Sequence, residues 1–253
     1  MSVSVASEGH VAVIKMTGDG RHNPLSVAVV TAMLEAFESA DVSGARAVVI
    51  CSAAKSFCAG ANIPDLLEAN WMSRNPKGPT PEDLFARIEA HDRPVIAAVH
   101  GNVIGGGFEL ALTADLVVAA ADSRFALPET GLGVIPNTAL PRLAAMVGMR
   151  RAMEIVMTRR LLTAAECHTL GLVTAITEES PRDAAIAQAD AIVSGAPPGA
   201  IAAVKRELRR LCATDWAQVR SNLAALPQNE WREGLSAFVE KRPPDYDGFW
   251  SGS

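Results

Sequence analysis

Residues 94–110 read PVIAAVHGNVIGGGFEL, and the order of elements in this stretch decides the fold class. Pro94 opens a strand over Val95 to Val99, Gly101 ends it, and the triplet Gly105-Gly106-Gly107 leads into an apolar helical segment, Phe108 to Thr113. A second small-residue loop, SFCAGANI at residues 56–63, follows another short apolar run. Taken singly, each loop is accounted for by a tight turn, because glycine supplies unusual backbone angles and close packing without any ligand. The functional alternative is that missing side chains bare main-chain N–H groups, while the helix after the triplet aims its positive end at a developing anion. Neither loop is a P-loop, since no Lys-Ser/Thr follows, and the glycine triplet is not GxGxxG. Support for dinucleotide binding is therefore weak.

Nearer the N-terminus, Val11 to Met16 reads as a strand broken by Gly18-Asp19-Gly20, with Ser26 capping a helix that runs toward Ser39. Ala47 to Cys51 is a short, β-branched, buried strand. Asn70 to Pro81 is polar and Pro-rich and predicts a mobile surface excursion, followed by an amphipathic helix through about His91. Strand character returns at Leu116 to Ala119 and around Phe125. Strands alternating with helices imply parallel pairing through crossover connections. From about Thr138 the chain turns helical, near Arg150 to Met157, Thr163 to Leu170, Arg182 to Ser194, Gly199 to Leu211, Trp216 to Leu226 and Asn229 to Glu240. Pro197-Pro198 marks the boundary between a core, residues 1–195, and a helical C-terminal region, residues 196–253.

Composition narrows the function classes. The 253 residues are 49% apolar and 20% charged with a net charge of −5, an ordinary globular balance without the basic field that a nucleic-acid or anionic-membrane surface requires. The basic stretch Lys205 to Arg210 reads as a solvated helix face. Cys51, Cys58, Cys167 and Cys212 form no CxxC pair, as expected of reduced thiols in the cytoplasm, and the N-terminus has no targeting pattern. His10, His22, His91, His100 and His168 lack metal spacing, so no metal is expected.

Phe57 to Ile63, Pro94 to Gly101 and Gly105 to Leu110 resemble, in order and separation, successive signatures of the crotonase (enoyl-CoA hydratase/isomerase) superfamily. The resemblance continues through Ala114-Asp115, Phe125 to Gly133, Glu233-Gly234 and Phe238 to Pro243, covering nearly the whole chain. It implies an α/β fold, a crotonase-type spiral of ββα units that carries the acyl-CoA site, with a C-terminal helical oligomerisation region that packs against neighbouring subunits in a homotrimer or homohexamer. It further implies that the N–H groups of Ala61 and Gly106 form an oxyanion hole for an acyl-CoA thioester. Ala59 would lie near the adenine, and Lys241 resembles a family lysine that reaches a CoA phosphate across a subunit boundary. Fixed amide dipoles there would stabilise a thioester enolate without reorganising, a contribution of about 10² to 10³ in rate per donor.

Glu109 and Glu129 match the paired glutamates of the hydratases. The resemblance implies reversible syn addition of water to a trans-2-enoyl-CoA, with Glu129 serving the α-carbon and Glu109 the water. No cofactor is expected, because CoA is part of the substrate. The nearest rival is enoyl-CoA isomerisation using Glu129 alone; thioester hydrolysis, a specialised hydratase and a non-catalytic scaffold share the same loops. Two departures bear on the site: Asn62 stands where many relatives carry aspartate, and Pro136 to Arg142 lacks the usual glycines and is about one residue shorter.

Overall fold

The computed structural model describes residues 2–18, 22–73, 75–211 and 213–250; Asp19, Gly20 and Cys212 lie outside them. The strands are β1 (Val3–Glu8), β2 (Val11–Met16), β3 (Ala47–Ser52), β4 (Val95–Val99), β5 (Asn102–Ile104), β6 (Leu116–Ala120), β7 (Arg124–Ala126), β8 (Leu162–Thr163) and β9 (Ala175–Thr177). The helices are α1 (Val27–Val42), α2 (Ile63–Glu68), α3 (Pro81–Glu89), α4 (Gly106–Thr113), α5 (Ala139–Val147), α6 (Met149–Thr158) and α7 (Ala164–Thr169). They continue with α8 (Pro181–Gly195), α9 (Pro198–Leu211), α10 (Trp216–Ala225), α11 (Gln228–Glu240) and α12 (Asp247–Trp250), and a 3-10 turn spans Glu129–Leu132.

The main sheet runs β1-β2-β3-β4-β6-β9, parallel throughout except for β1, which pairs antiparallel with β2. Its central strands are apolar without interruption because both faces are covered. Alternate residues go to opposite sides: Ile14, Ile50, Ala97 and Ala119 join the larger core with α1, α3 and α4, whereas Val13, Val49, Ala98 and Val118 meet Ala185, Ala189 and Val193 of α8.

A second, smaller parallel stack gives the fold its spiral. Leu25 bridges Ala61, Cys58 bridges Val103, and β5 pairs with β7, all parallel. Each turn of chain thus lays a strand on the main sheet, a short segment on the second stack, and then a helix or turn. This stack sets the loops after Cys58 and after Ile104 side by side.

Three expectations change. β1 is absent from the reading above because Ser4, Ala6 and Ser7 carry little strand signal; it is an edge strand whose middle is exposed. The segment from Asn70 to Pro81 is held at both ends: Trp71 and Met72 are buried with Leu66, Val134, Trp231 and Leu235, and Thr80 forms a capping box with Asp83. Nor is Lys205 to Arg210 simply solvated. Lys205 Nζ and Arg209 Nη2 each lie 2.6 Å from the Asp115 carboxylate, which also accepts from the Val95 N–H at 2.7 Å, so α9 is tied to the start of β4.

Candidate active site

Gly60, Ala61, Gly105 and Gly106 meet where the second stack ends. A Cβ built on Gly106 would stand 3.5 Å from Ala61 N, and one on Gly60 would stand 3.4 Å from Gly106 N. The ladder explains which donors remain for a ligand. Leu25 N–H donates to Gly60 O and Asn62 N–H donates to Leu25 O, so the N–H of Ala61, between them, points out of this bridge. Gly106 is the first residue of α4, and its N–H has no partner one turn earlier. Gly105 makes the close approach possible. Its φ is +56°, and a Cβ there would fall 2.8 Å from Glu129 Oε1.

The two glutamates come from different elements. Glu109 lies in the first turn of α4, and its Oε1 accepts from the N–H groups of Thr138 (2.8 Å) and Ala139 (3.0 Å), at the start of α5. Glu129 opens the 3-10 turn, and its Oε2 is cut off from solvent with no hydrogen-bond partner among the described residues. Both are half-buried. Burial, then the nearby Glu82, push the Glu109 carboxyl up to about 7, against the pull of the two N–H donors and Arg142. Burial and the Glu109 charge raise Glu129 well above the usual carboxylate range. The Glu109 charge thus reaches Glu129, so the two carboxyls titrate as a pair.

The remaining predicted residues are more peripheral. Ala59 is exposed, with its N–H on His22 O at 2.9 Å. Lys241 ends α11 with φ +56° and stands exposed. Asn62, at the family's aspartate position, caps α2 by accepting from Asp65 N at 3.1 Å, and asparagine caps as well as aspartate does. The glycine-poor stretch Pro136 to Arg142 folds into the start of α5, whose N–H groups hold Glu109. Sequence reasoning missed Glu82, Thr138 and Arg142 as neighbours of Glu109, since only packing of α3 and α5 against α4 brings them there. Cys58 adds no nucleophile: it is fully buried, which pushes its thiol up to about 12.

Comparison with known proteins gives the family and the fold. Residues 6–249 match the enoyl-CoA hydratase/isomerase family, to which the chain belongs, and the fold is of the crotonase type. A 2,3-dehydroadipyl-CoA hydratase of Escherichia coli is 32% identical over 96% of this chain and 98% of its own. A short-chain-enoyl-CoA hydratase of Clostridium acetobutylicum is 33% identical over 95% of each chain. Among solved structures, a methylmalonyl-CoA decarboxylase superposes with a TM-score of 0.83 at 26% identity, covering 98% of both chains. The last differs in reaction while sharing the fold, so side chains at the site, rather than the spiral, separate the chemistries. No helix among the described residues is long and apolar enough to cross a membrane.

Proposed function

We propose that the protein is an enoyl-CoA hydratase that adds water reversibly and syn across a trans-2-enoyl-CoA, giving a 3-hydroxyacyl-CoA. The observation that supports this reading is that Glu129 Oε1 lies against Gly105, next to the close backbones of Gly60, Ala61 and Gly106, with Glu109 near enough for its charge to raise the Glu129 carboxyl. The thioester oxygen accepts from the Ala61 and Gly106 N–H groups, which stabilise the charge gained as water attacks the β-carbon. Glu109, poised near neutrality and oriented by two backbone donors, takes the proton of that water. Glu129, kept protonated by burial and by its neighbour's charge, gives its proton to the α-carbon as the enolate collapses. Water oxygen ends on the β-carbon, one hydrogen ends on the α-carbon, and proton exchange between the glutamates and solvent resets the pair.

The reaction as proposed calls on no metal or redox cofactor, and CoA enters as part of the substrate. Ala59 lies along the adenine portion, and Lys241 of a neighbouring subunit meets a CoA phosphate in a homotrimer or a hexamer built from trimers. The exposed position of Lys241 supports that role. The free, buried thiols of Cys51, Cys58 and Cys167 suit the cytoplasm.

The test is hydration of a short enoyl-CoA by Glu109→Gln and Glu129→Gln. Each substitution should lower kcat by about 10² or more with acyl-CoA binding retained, and the double variant should lose less than the product of the two. Mass analysis checks for the added water. Parent-rate hydration by both variants would end the paired-glutamate mechanism. Full 3-enoyl-CoA isomerisation by Glu109→Gln, with only Glu129→Gln inactive, would make the protein an isomerase.

A further inference from the structure

Glu109 does not hold itself in place, and the groups that hold it converge on one buried cation. Arg142, on the first turn of α5, is 7% exposed. Its Nη1 donates to Thr138 O at 2.7 Å, and Thr138 N–H in turn donates to Glu109. Its Nη2 lies 3.1 Å from Glu89 Oε1 at the end of α3, forming an ion pair between side chains that are 8% and 13% exposed. Trp216 of α10 covers the guanidinium, with its ring centroid 5.9 Å from Cζ, and Thr214 Oγ1 donates to Glu89 Oε1 at 3.3 Å. Asn137, just before Thr138, is itself locked: its Nδ2 donates to Val219 O, and its Oδ1 accepts from Asn222 at 3.2 Å. Such burial is costly for a pair whose only result is stability, because apolar residues of the same volume would serve as well.

We infer that Arg142 is a positioning residue for the hydration reaction: clamped between Glu89 and Thr138, it fixes the start of α5 that receives Glu109 and sets the charge that Glu109 experiences. This inference rests on the hydratase reading for its kinetic consequence, though not for its electrostatic one. The charged groups facing Glu109 are Glu82 on α3, Glu129 on the 3-10 turn and Arg142 on α5. Those facing Arg142 are Glu89 on α3, Arg209 on α9 and Glu109 itself. Arg142 is thus the cation of the group around Glu109, and Glu89 partly neutralises it. The two members of the pair must therefore act on Glu109 in opposite senses. Loss of Arg142 favours the protonated carboxyl; loss of the Glu89 charge leaves the guanidinium less neutralised and favours the carboxylate.

The experiment titrates Glu109 directly in the substrate-free protein, by infrared difference spectroscopy against Glu109→Gln, in the parent, Arg142→Met, Arg142→Lys and Glu89→Gln. The midpoint should rise by about one pH unit in Arg142→Met and fall in Glu89→Gln. Arg142→Lys keeps the charge but lacks the planar fork, so its midpoint should stay near the parent's. In turnover, the acid limb of kcat/KM should follow these midpoints. Arg142→Lys should lose about 10-fold to 100-fold in kcat with little change in KM, since misplacement of a catalytic group costs rate more than binding. Unmoved midpoints in both charge-removing variants, or movement in the same direction, would overturn the inference. If Arg142→Met does not fold, Arg142→Lys and Glu89→Gln decide the matter alone: a Glu89→Gln midpoint equal to the parent's, or parent kcat in Arg142→Lys, overturns it. Midpoints that move as expected in a protein that hydrates no enoyl-CoA would leave Arg142 its role and remove the hydratase reading instead.

Discussion

Glu129 is the residue at which function and stability oppose each other. One of its oxygens is shut away without a partner among the described residues, so folding favours its neutral form. A carboxyl of ordinary affinity titrates at 4.5, Glu109 at about 7, and Glu129 well above 4.5 in the folded chain. Between these values the native state retains protons that the unfolded chain releases. Stability from this pair is therefore fully present below about pH 4.5 and is lost as pH rises through the folded values. Glutamine imitates the protonated carboxyl. Glu129→Gln should accordingly gain about 1–3 kcal/mol over the parent at about pH 8 and little at about pH 4.5. Urea unfolding at both values measures the difference, and an equal gain at the two would show that charge burial is not its source. Gly105→Ala tests the same few ångströms sterically. With φ at +56° and a Cβ 2.8 Å from Glu129 Oε1, it should lower stability by about 1–2 kcal/mol and turnover by more than about tenfold. An alanine variant with parent kinetics would mean that Gly105 is no more than a turn residue.

Among the elements, α9 shows how a basic run serves the fold. Lys205 and Arg209 fall one turn apart on its inner face and close on Asp115, while Arg206 pairs with Asp92 and Arg210 with Glu207 toward solvent. Asp115 also accepts from Val95 N–H, so one carboxylate joins the start of β4 to a helix far along the chain. Asp115→Ala leaves two partly buried cations without a counter-charge. It should cost about 3–5 kcal/mol, and hydrogen exchange in α9 should rise ahead of global unfolding. Exchange unchanged in α9 would mean that its apolar face alone docks it. These pairings were not legible from periodicity, which reports only that polar residues lie together. Helix limits were legible, because they are set by local chemistry: Ser26 caps α1 by accepting from Val29 N, and Thr163 and Glu166 form the capping box of α7.

Over the whole molecule, apolar side chains left on the surface bear on the proposed trimer. Met149, Met153 and Met157 recur every fourth residue along α6, at 61%, 49% and 65% exposure, with Met146 and Leu161 beside them. A face of this kind is suited to contact with a second copy of the chain. Met153→Lys with Met157→Lys should shift the assembly toward monomers at unchanged helical content, as read by sedimentation and circular dichroism. Persistence of the parent's mass would place the subunit contact elsewhere. The C-terminal helices meanwhile fold back on their own core: Tyr246 Oη donates to Gly131 O at 3.0 Å, and a Cβ on Gly133 would meet Glu230 O at 2.8 Å. The turn that carries Glu129 is thus braced by α11.

Local sequence is enough for the alternation of strand and helix and for the burial of the central strands, because each depends on neighbours within a few residues, whereas the two small-residue loops and two glutamates were joined only by their resemblance to the family's motifs in order and spacing. Apolar runs such as Ala47 to Ile50 and Val95 to Val99 announce strands covered on both sides, and a glycine triplet before an apolar helix announces a bare backbone. Tertiary structure decided what those parts face. Only parallel stacking of Cys58 on Val103 brings Ala61 beside Gly106, and only the packing of α5 and α3 on α4 gives Glu109 its two N–H donors, its Glu82 neighbour and its Arg142. A carboxyl's proton affinity follows from burial and from charges arriving from distant parts of the chain, and neither is a property of the residues beside it in sequence.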